Sequence, residues 1–322
     1  VYLALPNIIL PLGDLKYDDK LFSFVILVLT LINLLALFFL YSRQKFIAGW
    51  QNARPYRIVH YQAMLLGGLL LGKVLLNYEI VGWQLAAAMI ALLLAWLSQV
   101  GLNDLSDIKI DTISNQNRPL IKKSLAIPEY KIITVILTLL TFLFAYTVSY
   151  YYLIFIAVFM IIYTVYSWPP LRLKRVPVLS IFLIAGAALV VLMAGFSLPD
   201  HKYLTSLPPY AIALILIAFS LAAHVKDIKD IAGDKAAGIL TIPTMLGEKM
   251  GKKVVGILVG ISYLAVVLII PRFFGWLLLA AIIGGVINYW IINKKDYQEK
   301  YVFITYFIFL VILIYYLGKI YL

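Results

Sequence analysis

Ten runs of predominantly apolar residues alternate with short polar segments along this chain, at about 21–41, 57–75, 81–102, 130–149, 151–168, 178–198, 208–226, 252–270, 273–292 and 301–320. A hydrocarbon core needs about 20 apolar residues of helix to cross it, so each run predicts a membrane-spanning helix. The link between the fourth and fifth runs is very short, and Tyr150, Tyr151 and Tyr152 there predict an interfacial aromatic belt. Pro169 and Pro170 end the fifth run, because proline lacks the amide that a helix interior needs. Residues 21–41 are too long for a signal h-region and lack a small-residue cleavage pattern, so they also read as a span. The expectation is an all-α, polytopic membrane bundle.

The polar segments are not equivalent. Those at 42–56, 103–129, 169–177, 227–251 and 293–300, with their immediate flanks, hold 21 of the 27 Lys and Arg residues. By the positive-inside bias these segments face the cytoplasm and both termini face outward. Composition agrees: 64% of the 322 residues are hydrophobic, mean hydropathy is +0.98, and 13% are charged, against about 25% in soluble domains. The net charge of +12 then follows from topology. No soluble fold with polar or aromatic base readers accompanies it, so no nucleic-acid partner is expected. The absence of cysteine rules out disulfides and thiolate metal centres, and three histidines make a poor basis for a multi-histidine site. Asp14, Asp18 and Asp19 read as part of an outer loop without function.

Two of the cytoplasmic segments share one acidic spacing. NDLSDIKID runs from Asn103 to Asp111 and KDIKDIAGD from Lys226 to Asp234. Asp104, Asp107 and Asp111 stand at i, i+3 and i+7; Asp227, Asp230 and Asp234 repeat this at a constant offset of 123 residues. On an α-helix these positions share one face, so each segment is expected to present a stripe of three carboxylates where a membrane helix ends. Six unpaired carboxylates at the bilayer centre would cost roughly 15–20 kcal/mol, more than a typical domain's whole stability. They therefore lie at the interface or are neutralised by something bound. Asp oxygens without His or Cys are hard ligands that suit Mg²⁺ shared with substrate phosphates. Two facing stripes would form a two-metal diphosphate site. Flanking cations fit that reading: Lys109, Arg118, Lys122, Lys123, Arg172, Lys174, Arg175, Lys226 and Lys229. Arg118 stands out, seven residues past Asp111 in an Asn-Arg-Pro turn. A membrane transporter is the alternative of a different class, but its acids would sit near the midplane. A CDP-alcohol phosphotransferase would carry both acidic groups on one segment.

The chain resembles the UbiA superfamily of intramembrane prenyltransferases. The residues that carry the resemblance are Asn103-Asp104-x-x-Asp107-x-x-x-Asp111 with Asn117-Arg118-Pro119-Leu120, and Asp227-x-x-Asp230-x-x-Gly233-Asp234 with Gly238-Ile239-x-Thr241-Ile242-Pro243. Between them, Tyr166 to Arg175 is similar to the loop after the family's fourth core span. The resemblance implies nine core helices around a central cavity. That leaves residues 1–49 as an N-terminal loop and accessory span before a prenyltransferase domain at 50–322. It also implies transfer of a prenyl group from a polyisoprenyl diphosphate, with Mg²⁺ or Mn²⁺, to a lipophilic or aromatic acceptor. An aromatic quinone precursor is favoured, with a lipid or a chlorophyllide-type ring as alternatives. In this reading Asp104, Asp107, Asp227 and Asp230 are the metal ligands, Asp111 and Asp234 support them, and Asn103 orients the diphosphate or a metal-bound water. Arg118 holds the diphosphate, with Lys174, Arg172, Lys109 and Tyr166 as further substrate-binding candidates. His224, three residues before Asp227, is a possible proton acceptor or acceptor contact, although a structural role is the simpler reading; His60 and His201 receive no role.

Overall fold

The computed structural model describes residues 17–270 and 275–321. Asp14, Lys16 and Arg272, and the side chains of His201 and Lys319, lie outside the described residues. Among the described residues all regular structure is helical, and ten helices are long and apolar enough to cross a membrane. The spans are α1 (Tyr17–Tyr41), α3 (Pro55–Leu76), α4 (Gly82–Ser106), α6 (Ile127–Val148), α7 (Tyr150–Ser167), α8 (Pro177–Phe196), α9 (Pro209–Asp227), α12 (Glu248–Ile269), α13 (Gly275–Asn293) and α14 (Glu299–Tyr321). Short helices lie between them: α2 (Arg43–Gln51), α5 (Ile108–Ser114), α10 (Ile231–Ala236) and α11 (Ile242–Leu246).

Local sequence sets several boundaries. Pro55, Pro177 and Pro209 sit in the first turns of their helices, where a missing amide costs nothing. Ser149 separates α6 from α7, and its hydroxyl accepts from the Tyr152 amide at 3.0 Å, capping the second helix. The span α9 is irregular. It passes through a π-helical turn at Leu214–Phe219 and tightens into a 3₁₀ turn over Ala223–Asp227. Such departures concentrate at functional positions.

Packing divides into two apolar clusters, one built mainly on α3, α4, α6, α7 and α8, the other on α9, α12, α13 and α14. Helices α3 and α8 cross at two glycines. A Cβ on Gly68 would strike the Leu192 carbonyl, and one on Gly195 the Leu65 carbonyl. Small residues at such a crossing let backbones approach closely where lipid offers no competing hydrophobic drive. Helix α1 buries none of its residues. It touches the bundle through Tyr17 against Trp83 and Phe24 against Phe144.

The acidic segments depart from the uninterrupted helical stripe expected of them. Helix α4 stops at Ser106 and α5 begins at Ile108, so Asp107 is the hinge. The second segment leaves its 3₁₀ turn at Asp227 and re-enters helix after Asp230. Continuous helices would hold all three carboxylates in one plane. Across the breaks, Asp107, Asp111, Asp230 and Asp234 line one polar cleft.

Candidate active site

The repeat seen in sequence is repeated in the backbone. Asp107 takes φ −108°, ψ 12° and Asp230 takes φ −100°, ψ 5°, each at the head of a short helix. The Asp107 carbonyl accepts from the Asp111 amide at 2.9 Å and the Asp230 carbonyl from the Asp234 amide at 2.8 Å. The two short helices pack against each other where Gly233 meets Ser114. The Gly233 amide donates to Ser114 Oγ at 2.7 Å, and a Cβ on Gly233 would collide with that hydroxyl and with Ile110. Asn115 joins the motifs, its Nδ2 lying 2.9 Å from Asp230 Oδ1 and 3.1 Å from Asp111 Oδ1.

Between the motifs is a polar cleft of about 80 Å³. Asn103, Asp107 and Asp111 line it from one side, and Asp227, Asp230 and Asp234 from the other. Arg118, Lys174, Lys226, Lys229 and Tyr166 also face it. Asp107 and Asp227 are paired with cations. Lys174 contacts both Asp107 oxygens, Arg172 reaches Asp107 Oδ1 at 2.5 Å, and Lys226 reaches Asp227 Oδ1 at 2.5 Å. The Lys226 ammonium also lies over the Tyr166 ring, 5.6 Å from its centre.

Three of the expected site residues, Asp104, Lys109 and Arg172, do not line the cleft. Asp104 is 1% exposed. Its Oδ1 accepts from Arg54 and Arg118, both at 2.7 Å, and its Oδ2 from Asn52 at 2.5 Å and Tyr130 at 2.9 Å. A carboxylate with four donors has no lone pair left for a metal, so Asp104 anchors Arg118 rather than serving as a ligand. Lys109 is exposed and outside the cleft, because the break at Asp107 turns α5 so that Ile110 and Asp111 face inward instead. His224 lines neither the cleft nor the apolar cavity below, and its Nδ1 stands 4.0 Å from Asp227 Oδ2.

Two of the cleft acids, Asp111 and Asp234, are electrostatically unusual. Burial pushes the Asp111 carboxyl up to about 7 against the pull of Arg118, with Asp104 and Asp107 adding to the rise. Burial does the same for Asp234, also to about 7, reinforced by Asp230 and Asp227. Burial lowers the Lys174 ammonium despite its Asp107 partner. Among the described residues no three carboxylate or histidine side chains converge closely enough to hold a metal unaided.

An apolar cavity of about 270 Å³ abuts the cleft, bounded by α3, α9, α12 and α14. The two spaces share Arg57, Tyr163, Ile184 and Lys226. Aromatic rings crowd the junction: Trp96 and Tyr163 are centred 5.5 Å apart, and Tyr61 and Trp96 5.3 Å apart. Across the bundle, Glu299 at the start of α14 accepts from Arg57 at 2.8 Å and from Lys229 at 2.9 Å.

Sequence reasoning passed over Asn52, Asn115, Tyr130 and Glu299. Asn115 was readable as the helical i+4 neighbour of Asp111, and Glu299 as one of few acids at the mouth of an apolar run. Asn52 and Tyr130 carry no local signal, since only the fold brings them to Asp104.

Residues 63–316 match the model of the UbiA prenyltransferase family. The chain is 28% identical over 168 residues to a homogentisate phytyltransferase of Synechocystis, covering 50% of this chain and 54% of that protein, so it spans about half of that relative's length. It is 25% identical to a probable homogentisate phytyltransferase 2 of rice, over 78% of this chain and 71% of that one. The bacteriochlorophyll synthase 34 kDa chain of Chloroflexus aurantiacus is 28% identical, over 64% and 66% of the respective chains. Among solved structures, a UbiA homologue of Archaeoglobus fulgidus bound to GPP and Mg²⁺ superposes with a TM-score of 0.63 at 18% identity, covering 84% of this chain and 97% of that one.

Proposed function

The chain belongs to the UbiA prenyltransferase family, and from that premise we propose that this multi-pass membrane enzyme moves a prenyl group from a polyisoprenyl diphosphate onto an aromatic acceptor. The observation that carries the proposal is the junction of two unlike spaces: a polar cleft of paired acids and cations opens into an apolar cavity through Tyr163, Arg57 and Lys226. A substrate with a charged head and a hydrocarbon tail fits across that junction, and few other ligand classes do.

The donor set fits Mg²⁺. Asp107, Asp111, Asp227, Asp230 and Asp234, with the amide oxygen of Asn103, are hard oxygen ligands divided between two walls. Mg²⁺ is commonly held by one or two carboxylates together with substrate phosphate, which suits oxygens divided between two walls. When bound, Mg²⁺ supplies charge to the leaving diphosphate and lowers the barrier to its departure.

The protein's own groups do the rest. Arg118, fixed by Asp104 and Asp111, presents its remaining guanidinium donors to the cleft for phosphate oxygens. Lys174 and Lys226 stand ready to exchange their carboxylate partners for phosphate. As the carbon–oxygen bond lengthens, positive charge grows on the first carbon of the tail. That carbon would lie where Trp96, Tyr163 and Tyr166 crowd together, and ring faces stabilise such a cation. The apolar lining beyond keeps water from intercepting it. Attack by the acceptor carbon, then loss of its proton, restores the ring. Names of matched relatives support an aromatic acceptor: besides the homogentisate enzymes, they include a naringenin 8-dimethylallyltransferase of Sophora flavescens, 31% identical over 52% of this chain. The excess of Lys and Arg on the segments bearing the cleft supports a cytoplasmic active site.

The test is diphosphate release from purified protein in detergent. Geranyl, farnesyl and geranylgeranyl diphosphates would be offered with homogentisate, 4-hydroxybenzoate and a glycerol phosphate lipid, with Mg²⁺ or with EDTA. Metal-dependent release that rises with an aromatic acceptor supports the reading. Release stimulated only by the lipid would replace the aromatic acceptor.

A further inference from the structure

Three chambers adjoin one another. The apolar cavity meets the acidic cleft, and the cleft shares Arg54, Asn115, Arg118 and Lys229 with a third, open chamber of about 1050 Å³. The first and third chambers have no lining residue in common, so each opens onto the cleft through a different set of side chains. The third is lined by five cations and no carboxylate. Three of those cations are tied to acids outside it: Arg54 and Arg118 to Asp104, and Lys229 to Glu299. The charged ends of Arg43 and Lys122 have no hydrogen-bond or ion-pair partner among the described residues.

One wall of this chamber is α2, which precedes the region matched by the family. Its position is fixed rather than incidental. Ser42 caps it by accepting from the Lys45 amide at 3.3 Å, and Lys45 pairs with Glu129 on α6 at 2.5 Å. Beyond its end, Asn52 and Arg54 both bond Asp104, and the Ala53 carbonyl accepts from Trp96 at 3.0 Å. Arg54 holds a left-handed backbone, φ 57°, that a non-glycine residue adopts only when its surroundings enforce it. The opposite wall is the turn after α5, which carries Lys122.

We propose that this chamber is the passage for inorganic diphosphate between the cleft and water, with Arg43 and Lys122 as its guiding cations. The inference rests on the prenyl-transfer reading. With the donor's tail in the apolar cavity and its head in the cleft, the reacting carbon lies on the tail side. An acceptor must approach from there, whereas the third chamber meets the cleft at Arg54, Asn115, Arg118 and Lys229, where a phosphate head would be held. A multiply charged anion leaving a buried site needs a hydrated path of opposite charge, and unpaired cations along it raise association rates by factors of about 10–10³.

The experiment is rapid-filtration kinetics of radiolabelled diphosphate with Mg²⁺ on the full chain in detergent, comparing wild type with Arg43→Gln/Lys122→Gln. Both side chains are exposed, so the variant should keep the wild-type melting temperature. The association rate constant should fall on the order of tenfold at low ionic strength. The difference should vanish near 1 M salt, where screening acts within about 3 Å. Equal association rates at low salt would overturn the passage while leaving the prenyl-transfer reading intact. An unchanged rate combined with lost binding to phosphatidylglycerol vesicles would also overturn it, and would assign the two cations to lipid headgroups. Failure of wild type to bind Mg²⁺–diphosphate would overturn the prenyl-transfer reading itself.

Discussion

Asn115 Nδ2 donates to Asp230 Oδ1 across 2.9 Å, joining two motifs that lie 115 residues apart at this contact. The same nitrogen lies 3.1 Å from Asp111 Oδ1, so one amide sets the spacing between the two acidic walls. A side chain that orients metal-ligating carboxylates is worth about 10–100-fold in metal affinity or activity. Asn115→Leu should therefore keep the fold and raise the Mg²⁺ concentration needed for half-maximal diphosphate release by about that factor. A Mg²⁺ titration of activity checks this. An unchanged midpoint would mean that the walls hold their spacing through the Gly233–Ser114 contact alone.

Asp104 and Asp230 should fail in different ways. Asp104 is buried and holds Arg54, Arg118, Asn52 and Tyr130. Asp104→Asn leaves Arg54 without its countercharge and Arg118 with Asp111 alone, and breaking a buried pair costs about 3–5 kcal/mol. A clear drop in melting temperature should accompany any loss of turnover. Asp230→Asn removes a charge from the cleft wall and keeps a group that can still meet Asn115, so turnover should collapse with little change in melting temperature. Paired thermal unfolding and diphosphate-release assays separate the two. Equal melting temperatures would return Asp104 to the metal-ligand set.

The contrast shows what a linear reading reaches. The ten spans were legible because apolar runs of membrane length have one structural solution. The two motifs were legible because their i, i+3, i+7 spacing recurs. Spacing alone does not show that Asp107 and Asp230 interrupt their helices, since neither residue is a strong breaker and the bend is set by tertiary contacts such as Gly233 against Ser114. Nor does it separate Asp104 from Asp107: both are Asp on adjacent turns, and only the fold brings four donors to one of them. Lys109 looked equivalent to Lys174 by proximity to an acid, yet it is the break at Asp107 that sends it outward and leaves Lys174 on the cleft.

Metal binding should be linked to protons. The carboxyls of Asp111 and Asp234 are each pushed up to about 7, chiefly by burial. Below that pH they are largely neutral, and a neutral carboxyl is a poor ligand. Apparent Mg²⁺ affinity should rise as pH increases from about 6 to 8, with proton release falling toward zero at the top of that window. Calorimetric Mg²⁺ titrations with diphosphate present, in buffers of different ionisation enthalpy, count the protons directly. Binding with no proton release near pH 7 would show that neither carboxyl changes ionisation when the metal enters.

The N-terminal region should divide at Ser42. Helix α1 buries no residue of its own and lies on the outside of the bundle, with Phe24, Leu27, Val28, Leu31 and Leu34 laid against it. Its removal exposes a strip of α6 to lipid or detergent, which is as apolar as the helix it replaces, so the driving force for keeping it is small. The segment from Ser42 to Arg54 is different, because Lys45, Asn52 and Arg54 bond Glu129 and Asp104. Deleting residues 1–41 should leave diphosphate release within a few-fold of wild type. Arg54→Ala should lower turnover further than that deletion does, since Asp104, which holds Arg118, then loses one of its two cations. Turnover and melting temperature of the two variants, measured side by side, decide the matter. Loss of activity in the deletion with the melting temperature retained would make α1 part of the working site, and a silent Arg54→Ala would remove the left-handed arginine from it.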